Sequence, residues 1–173
     1  MNSIMRAFAQ AYGGFSRLAS MAQSPLLLIV RLYWGFQFMQ AGWGKLHNLE
    51  HVTQFFMSIG IPAPGPTALF VACVEFFGGV LLMLGLASRL TGLVLTGNML
   101  VAYVTAERPA LLDVFSDPGT FYQALPFTFL FAALLVLIFG PGWFALDTLI
   151  AHRCAPGEAE QGHSPLPVQR DAA

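Results

Sequence analysis

Glu75 is the one charged residue in the run from Pro66 to Leu86, PTALFVACVEFFGGVLLMLGL. An ionised carboxylate at bilayer depth costs about 3 kcal/mol or more, so a glutamate placed there must be paired, protonated or at work. Gly78 and Gly79 follow it at i+3 and i+4 on the same helical face, leaving room for another helix or a flat ligand to approach. Polar residues recur in the neighbouring apolar segments. Arg31, Gly35, Phe38, Gly42 and Lys45 form a stripe with steps of four and three, with Trp34 and Gln37 beside it. Thr91, Asn98 and Thr105 recur every seven residues and make a second stripe.

At about 1.5 Å of rise per residue from a common membrane edge, Arg31 lies near ~9 Å, Asn98 near ~14 Å, Glu75 near ~16 Å and Gln37 near ~18 Å. Thr128, in the last apolar segment, falls at about 16 to 20 Å by the same count. Four helices would thus bring polar atoms to one layer near mid-membrane, as in a buried site whose members satisfy one another. An ion pair of Arg31 with Glu75 would have to bridge about 7 Å. Side chains lean toward the N-terminus of their helix, and on antiparallel helices that lean separates these two. Arg31 therefore either stretches to Glu75 or snorkels to phosphate head groups.

Such a layer needs helices that cross a membrane. The chain has 173 residues, 56% hydrophobic and 10% charged, whereas soluble domains carry about 25% charged residues. That excludes an ordinary cytosolic globule. Crossing about 30 Å of hydrocarbon takes about 20 apolar residues, and four segments serve: 26–44, 66–86, 90–106 and 121–139. The expected fold is all-α, an integral membrane four-helix bundle over residues 25–150. Residues 1–24, with Ile4, Met5, Phe8, Tyr12, Phe15 and Leu18 near helical spacing, predict an amphipathic N-terminal segment on the membrane surface. Residues 151–173, rich in Pro, Gly and charge, predict a disordered tail.

The net charge of -1 offers no nucleic-acid footprint. Arg6, Arg17, Arg89, Arg153 and Arg170 fall on one side of the expected spans and Lys45 and Arg108 on the other, which puts both termini in the cytoplasm. For a bacterial host this means a multi-pass protein of the inner membrane. Cys73 and Cys154 are separated by the membrane on this topology, too far for a disulfide, and Cys73 reads as a packing residue. His47 and His51 share a helical face but lack a third metal ligand. Leu49, Val52, Phe55 and Phe56 predict a short amphipathic helix at the outer surface, and the stretch with Glu107, Arg108, Asp113 and Asp117 reads as a solvated acidic loop.

The order of these pieces resembles the DoxX family of small four-helix bacterial membrane proteins. The resemblance rests on Arg31, on AGWGKL with Gly42 and Lys45, on the GIPAP turn, on CVEFFGGVLLMLGLASRLTG with Glu75, Gly78, Gly79, Gly85 and Arg89, and on GPGWFALD with Asp147. These motifs run through residues 25–150. The resemblance implies a four-transmembrane bundle linked with membrane redox work, such as a subunit of a thiosulfate:quinone oxidoreductase or a partner in an oxidative-stress complex.

The leading expectation is an inner-membrane, redox-associated protein that binds a quinone or similar lipophilic molecule within the bundle. Glu75 would be its hydrogen-bond or proton partner. Arg31, Lys45 and Arg89 would supply positive potential or head-group contacts, Trp34, Gln37 and Asn98 would shape the pocket, and Gly78 and Gly79 would admit the ring. A quinone needs a flat apolar slot, donors to two carbonyls and a proton route. No haem, flavin, iron-sulfur or metal ligand set is visible, so electrons would come from a redox partner protein or subunit. The alternative is a non-catalytic membrane anchor or assembly subunit of a larger complex, with the polar layer as interhelical glue.

Overall fold

A computed structural model describes residues 3–143 and 145–148, and the described chain is all-helical. The elements are α1 (Ser3–His47), α2 (Leu49–Ser58), α3 (Pro64–Leu84), α4 (Ser88–Thr105), α5 (Arg108–Leu112), α6 (Pro118–Gln123) and α7 (Pro126–Phe139). α1 packs along α3, α3 against α4, α4 along α7 and α7 back on α1. Phe38, Leu82, Leu95, Met99, Ala133 and Val136 form the shared core of these four helices.

Glycine sets how closely α1 and α3 approach. A Cβ on Gly79 would strike the α1 backbone at Gly35 and Met39, and one on Gly42 would strike α3 at Ala72 and Phe76. Such contacts let backbones meet directly, and dispersion rather than water exclusion then holds the pair. They also fix the antiparallel register. The buried positions of α3, Ala68, Ala72, Glu75, Gly79 and Leu82, advance by four and three residues, matching the inward stripe of α1.

The outward faces are apolar instead of charged. Phe70, Phe77 and Leu84 on α3, Leu93, Leu100 and Val104 on α4, and Phe131 and Ile138 on α7 are all exposed. Contiguous apolar surface on this scale is foreign to a soluble monomer and suits lipid tails. Among the described residues α3 is the one helix long and apolar enough to cross a bilayer by composition, and only 28% of its apolar window is buried by the rest of the protein. α1 and α4 carry the polar stripes that dilute their apolar character.

Three expectations change. The N-terminal segment is helically continuous with the first apolar segment: α1 runs through Pro25 without a break for 45 residues, about 67 Å of helix, with Met5, Tyr12, Phe15 and Leu18 exposed along it. The fourth apolar segment does not begin its helix at Phe121. The ring of Pro126 would clash with the carbonyl four residues back, so Ala124 adopts an extended conformation and α7 starts at Pro126, with α6 as a separate turn. The acidic connection is likewise partly helical, as α5 and α6, each with proline in its first turn. α2 forms where its amphipathic pattern predicts, with Phe56 buried. The expected tail at 151–173 and Cys154 lie outside the described residues.

A candidate site at Lys45, Glu75 and Asn98

α3 turns Glu75 inward because it lies on the stripe that Ala72 and Gly79 press against α1. Its side chain is 5% exposed and pairs through Oε2 with Lys45 Nζ. The other oxygen, Oε1, accepts from Asn98 Nδ2 at 3.2 Å. Because a carboxylate only accepts hydrogen bonds, the amide must turn its NH2 group to Glu75 and present its carbonyl oxygen elsewhere. Lys45, with 30% of its side chain exposed, keeps two donors beyond the one given to Glu75.

The lean of side chains explains the pairing. Gly42 faces α3 between Ala72 and Phe76, which places Lys45 about one helical turn farther out than Glu75. Lys45 leans inward along α1 and Glu75 leans outward along α3, so the two converge. Arg31 stands instead against Gly85, ten residues from Glu75 along α3, or about 15 Å.

These three residues line a cavity of about 620 Å³ in the half of the protein nearest α2, a size suited to a small lipophilic ligand. Phe38, Ala41, Val71, Met99, Ala102 and Phe129 form apolar walls, and Phe55, Phe56, Ile59, Ile61 and Pro62 roof it from α2 and the following turn. Thr67 and Thr105 also line it, but their hydroxyls donate to the carbonyls of Pro62, at 3.0 Å, and Val101, at 2.8 Å. Strong free donor capacity is thus concentrated at Lys45.

The other sequence-derived candidates lie elsewhere. Arg31 is 1% exposed and closes the opposite end: Nε donates to Leu82 O at 3.0 Å, one terminal nitrogen to Met83 O at 3.2 Å and the other to Pro141 O. It adds a second donor to Leu82 O, which already accepts from Gly85 N, and supplies donors to Met83 O and Pro141 O beyond the last helical bonds of α3, neither snorkelling nor reaching Glu75. Nearby, Asp147 accepts from the amides of Ala87 at 2.7 Å and Ser88 at 2.8 Å, capping α4 from a distant part of the chain. Burial alone would raise the Asp147 pKa, but those amides and the charge of Arg31 hold it below the ordinary carboxylate value. Arg89 is exposed at this same end, beside Gly140. Gly79 meets the α1 backbone and Gly78 meets Leu95 of α4, so both serve helix packing. Trp34 packs on Phe129, with ring centroids 6.4 Å apart, without lining the cavity, and Gln37 is half-buried off its wall. Thr128 is exposed. The single mid-membrane layer is therefore two separate clusters.

Sequence reasoning missed the roof contributed by α2 and the wall residue Phe129. The amphipathic pattern of α2 gave its existence, but nothing local in the sequence says that this helix covers an interior space.

Residues 26–108 match the DoxX family model. The chain carries a DoxX domain over those residues. It is 35% identical over 83 residues to the Bacillus subtilis (strain 168) protein named "Putative oxidoreductase CatD", covering 48% of this chain and 60% of that protein. It is 27% identical over 125 residues to "Inner membrane protein YqjF" of Escherichia coli (strain K12), covering 72% of this chain and 91% of that one. No solved structure matches at a significant level. This DoxX protein is a membrane protein, in keeping with its apolar exterior. The matched region contains all three residues of the site and ends at Arg108, the first residue of α5.

Proposed function

We propose that this DoxX protein is a four-helix transmembrane bundle of the bacterial inner membrane, with both termini cytoplasmic, that holds a quinone or similar lipophilic molecule in the cavity at Lys45 and works beside a redox partner. The observation that carries the reading is a charged, hydrogen-bonded trio opening onto a mostly apolar cavity of about 620 Å³, whose lining also includes Glu107, Thr67 and Thr105. Polar groups retained only to glue helices need no such space beside them. In this reading Lys45 donates to a ligand carbonyl, Glu75 holds the ammonium in place and balances its charge, and Asn98 fixes the carboxylate. Membrane redox work is supported by the name of the CatD relative and inner-membrane residence by that of YqjF. The side of Arg89 against that of Lys45 and Arg108 supports the orientation.

The cavity suits a quinone ring in volume and apolarity, with Phe129 and Phe38, centroids 4.7 Å apart, forming an aromatic wall. Organic extraction and mass spectrometry of the purified full-length protein test the reading. Wild type should yield a co-purified lipoquinone, or take up decylubiquinone, and Glu75→Gln should lose most of it with the fold intact. Equal retention by both proteins would remove the mechanism. Loss of assembly with a larger complex, without any change in lipophile content, would favour a non-catalytic anchor.

A further inference from the structure

We propose that the ligand is an uncharged lipophile gripped by a single carbonyl at Lys45, and that it enters sideways from the bilayer between α2 and α4, past Phe55 and Val101. This rests on the lipophile-binding reading above and adds its ligand class and its route.

The head-group chemistry follows from which bonds are already made. Both carboxylate oxygens of Glu75 are engaged, by Lys45 and Asn98. The hydroxyls of Thr67 and Thr105 donate to their own neighbouring backbone. A bound molecule therefore finds ammonium protons at Lys45 and an amide oxygen at Asn98 close together, and apolar wall over most of the remainder. One polar end of the ligand is anchored; a second carbonyl on its far side meets no comparable donor. Charge narrows the class further. Lys45 and Glu75 together are neutral, so a carboxylate head would leave an uncompensated anion in an apolar enclosure, which is strongly unfavourable. A neutral carbonyl adds a hydrogen bond without adding charge.

The route follows from α4. Asn98, Ala102 and Thr105 face the cavity, and Val101 sits on their flank, both lining the cavity and 58% exposed. It continues the exposed apolar side of α4 through Val94, a surface that faces lipid in a membrane protein. Across from it, Phe55 on α2 also lines the cavity and is 46% exposed. α2 packs on α3 while α4 packs on α3 and α7, leaving the cavity between α2 and α4. A molecule moving through this gap exchanges lipid for apolar side chains and never crosses the aqueous face. Filling the rim should alter how fast the ligand exchanges, and removing the anchor should alter how much is held.

Full-length protein in phosphatidylethanolamine/phosphatidylglycerol nanodiscs, loaded with decylubiquinone and mixed with excess empty liposomes, tests both parts. Ligand remaining with the protein is followed by extraction, with Glu75→Gln as the lipid-partition baseline. Val101→Trp and Phe55→Trp should slow both release and reloading about tenfold, whatever their effect on the amount held. Leu93→Trp, on the exposed side of α4 and outside the cavity lining, should leave the rate unaltered. Val101→Cys in a Cys73→Ala, Cys154→Ala background, alkylated with a bulky maleimide after folding, repeats the test with the bulk added only to folded protein. Unchanged release in the rim variants, or equal slowing by Leu93→Trp, overturns the lateral route. Dodecanoate should fail to displace decylubiquinone at neutral pH; efficient displacement overturns the neutral-head assignment. If wild type holds no more decylubiquinone than Glu75→Gln, the lipophile reading falls and this one with it. Retention with unaltered exchange sinks the route alone.

Discussion

α1 carries a cation at each end of its contact with α3, and the two behave oppositely. Arg31 meets backbone carbonyls of Leu82, Met83 and Pro141, in a place with almost no exposure. Lys45 meets one side chain, keeps two donors and borders a cavity. A planar guanidinium with five donors in a fixed fork suits several carbonyls at once, whereas an ammonium on a flexible stem suits a shifting or replaceable partner. The difference teaches that a charge inside a membrane protein can be a latch or a site, and that unfilled bonding capacity beside open space separates the two.

The comparison breaks most visibly at Arg31. Arg31→Ala takes the side-chain donor from the carbonyls of Met83 and Pro141, at about 1–3 kcal/mol each, and is expected to abolish recovery of folded, monodisperse protein in detergent; near-normal thermal stability would mean the latch is dispensable. Gly42→Val comes next. Its side chain would push into the α3 backbone, and overpacking of this kind costs about 1–3 kcal/mol, so a lowered unfolding midpoint in detergent should accompany a weakened hold on ligand.

Glu75→Gln should act at the other end only. Ligand retention should fall about tenfold, near 1.4 kcal/mol of binding, with little change in unfolding midpoint; a large stability loss with retained ligand would make this end a second latch. The smallest effect belongs to Asp147. Its folded pKa lies below the usual carboxylate value, so the stability it contributes is present above its unfolded pKa, near 3.9, and disappears as pH falls through the lower folded one. Asp147→Asn should cost about 1 kcal/mol near neutral pH and flatten the acid limb of a thermal-stability profile; an unaltered acid limb would show that the cap contributes nothing through its charge.

Much of the architecture was legible in the chain. The stripe from Arg31 to Lys45 does face α3, Thr91 and Asn98 do face inward, and α2 forms from Leu49–Ser58. Polar spacing carries that information because a side chain's face depends only on helical periodicity. Depth counting failed where it compared helices, since a shift of a few residues in register between α1 and α3 moves every predicted neighbour. It placed Arg31 within reach of Glu75, and it put Thr128 inside when the break at Ala124 leaves that residue exposed. The same lean that argued against Arg31 argues for Lys45, but only once the glycine contacts set the register.

Sequence alone determined that this is a helical protein with apolar outward faces, a glutamate turned inward on α3 and polar stripes on two neighbouring helices, because hydropathy and periodicity are local properties of a chain. Tertiary structure alone decided that Lys45, not Arg31, meets Glu75, that Arg31 seals the end of α3, and that a cavity lies beside the trio. Those outcomes depend on how helices slide against one another and on what a distant turn covers, and close backbone packing at Gly35, Gly42 and Gly79 fixes that sliding.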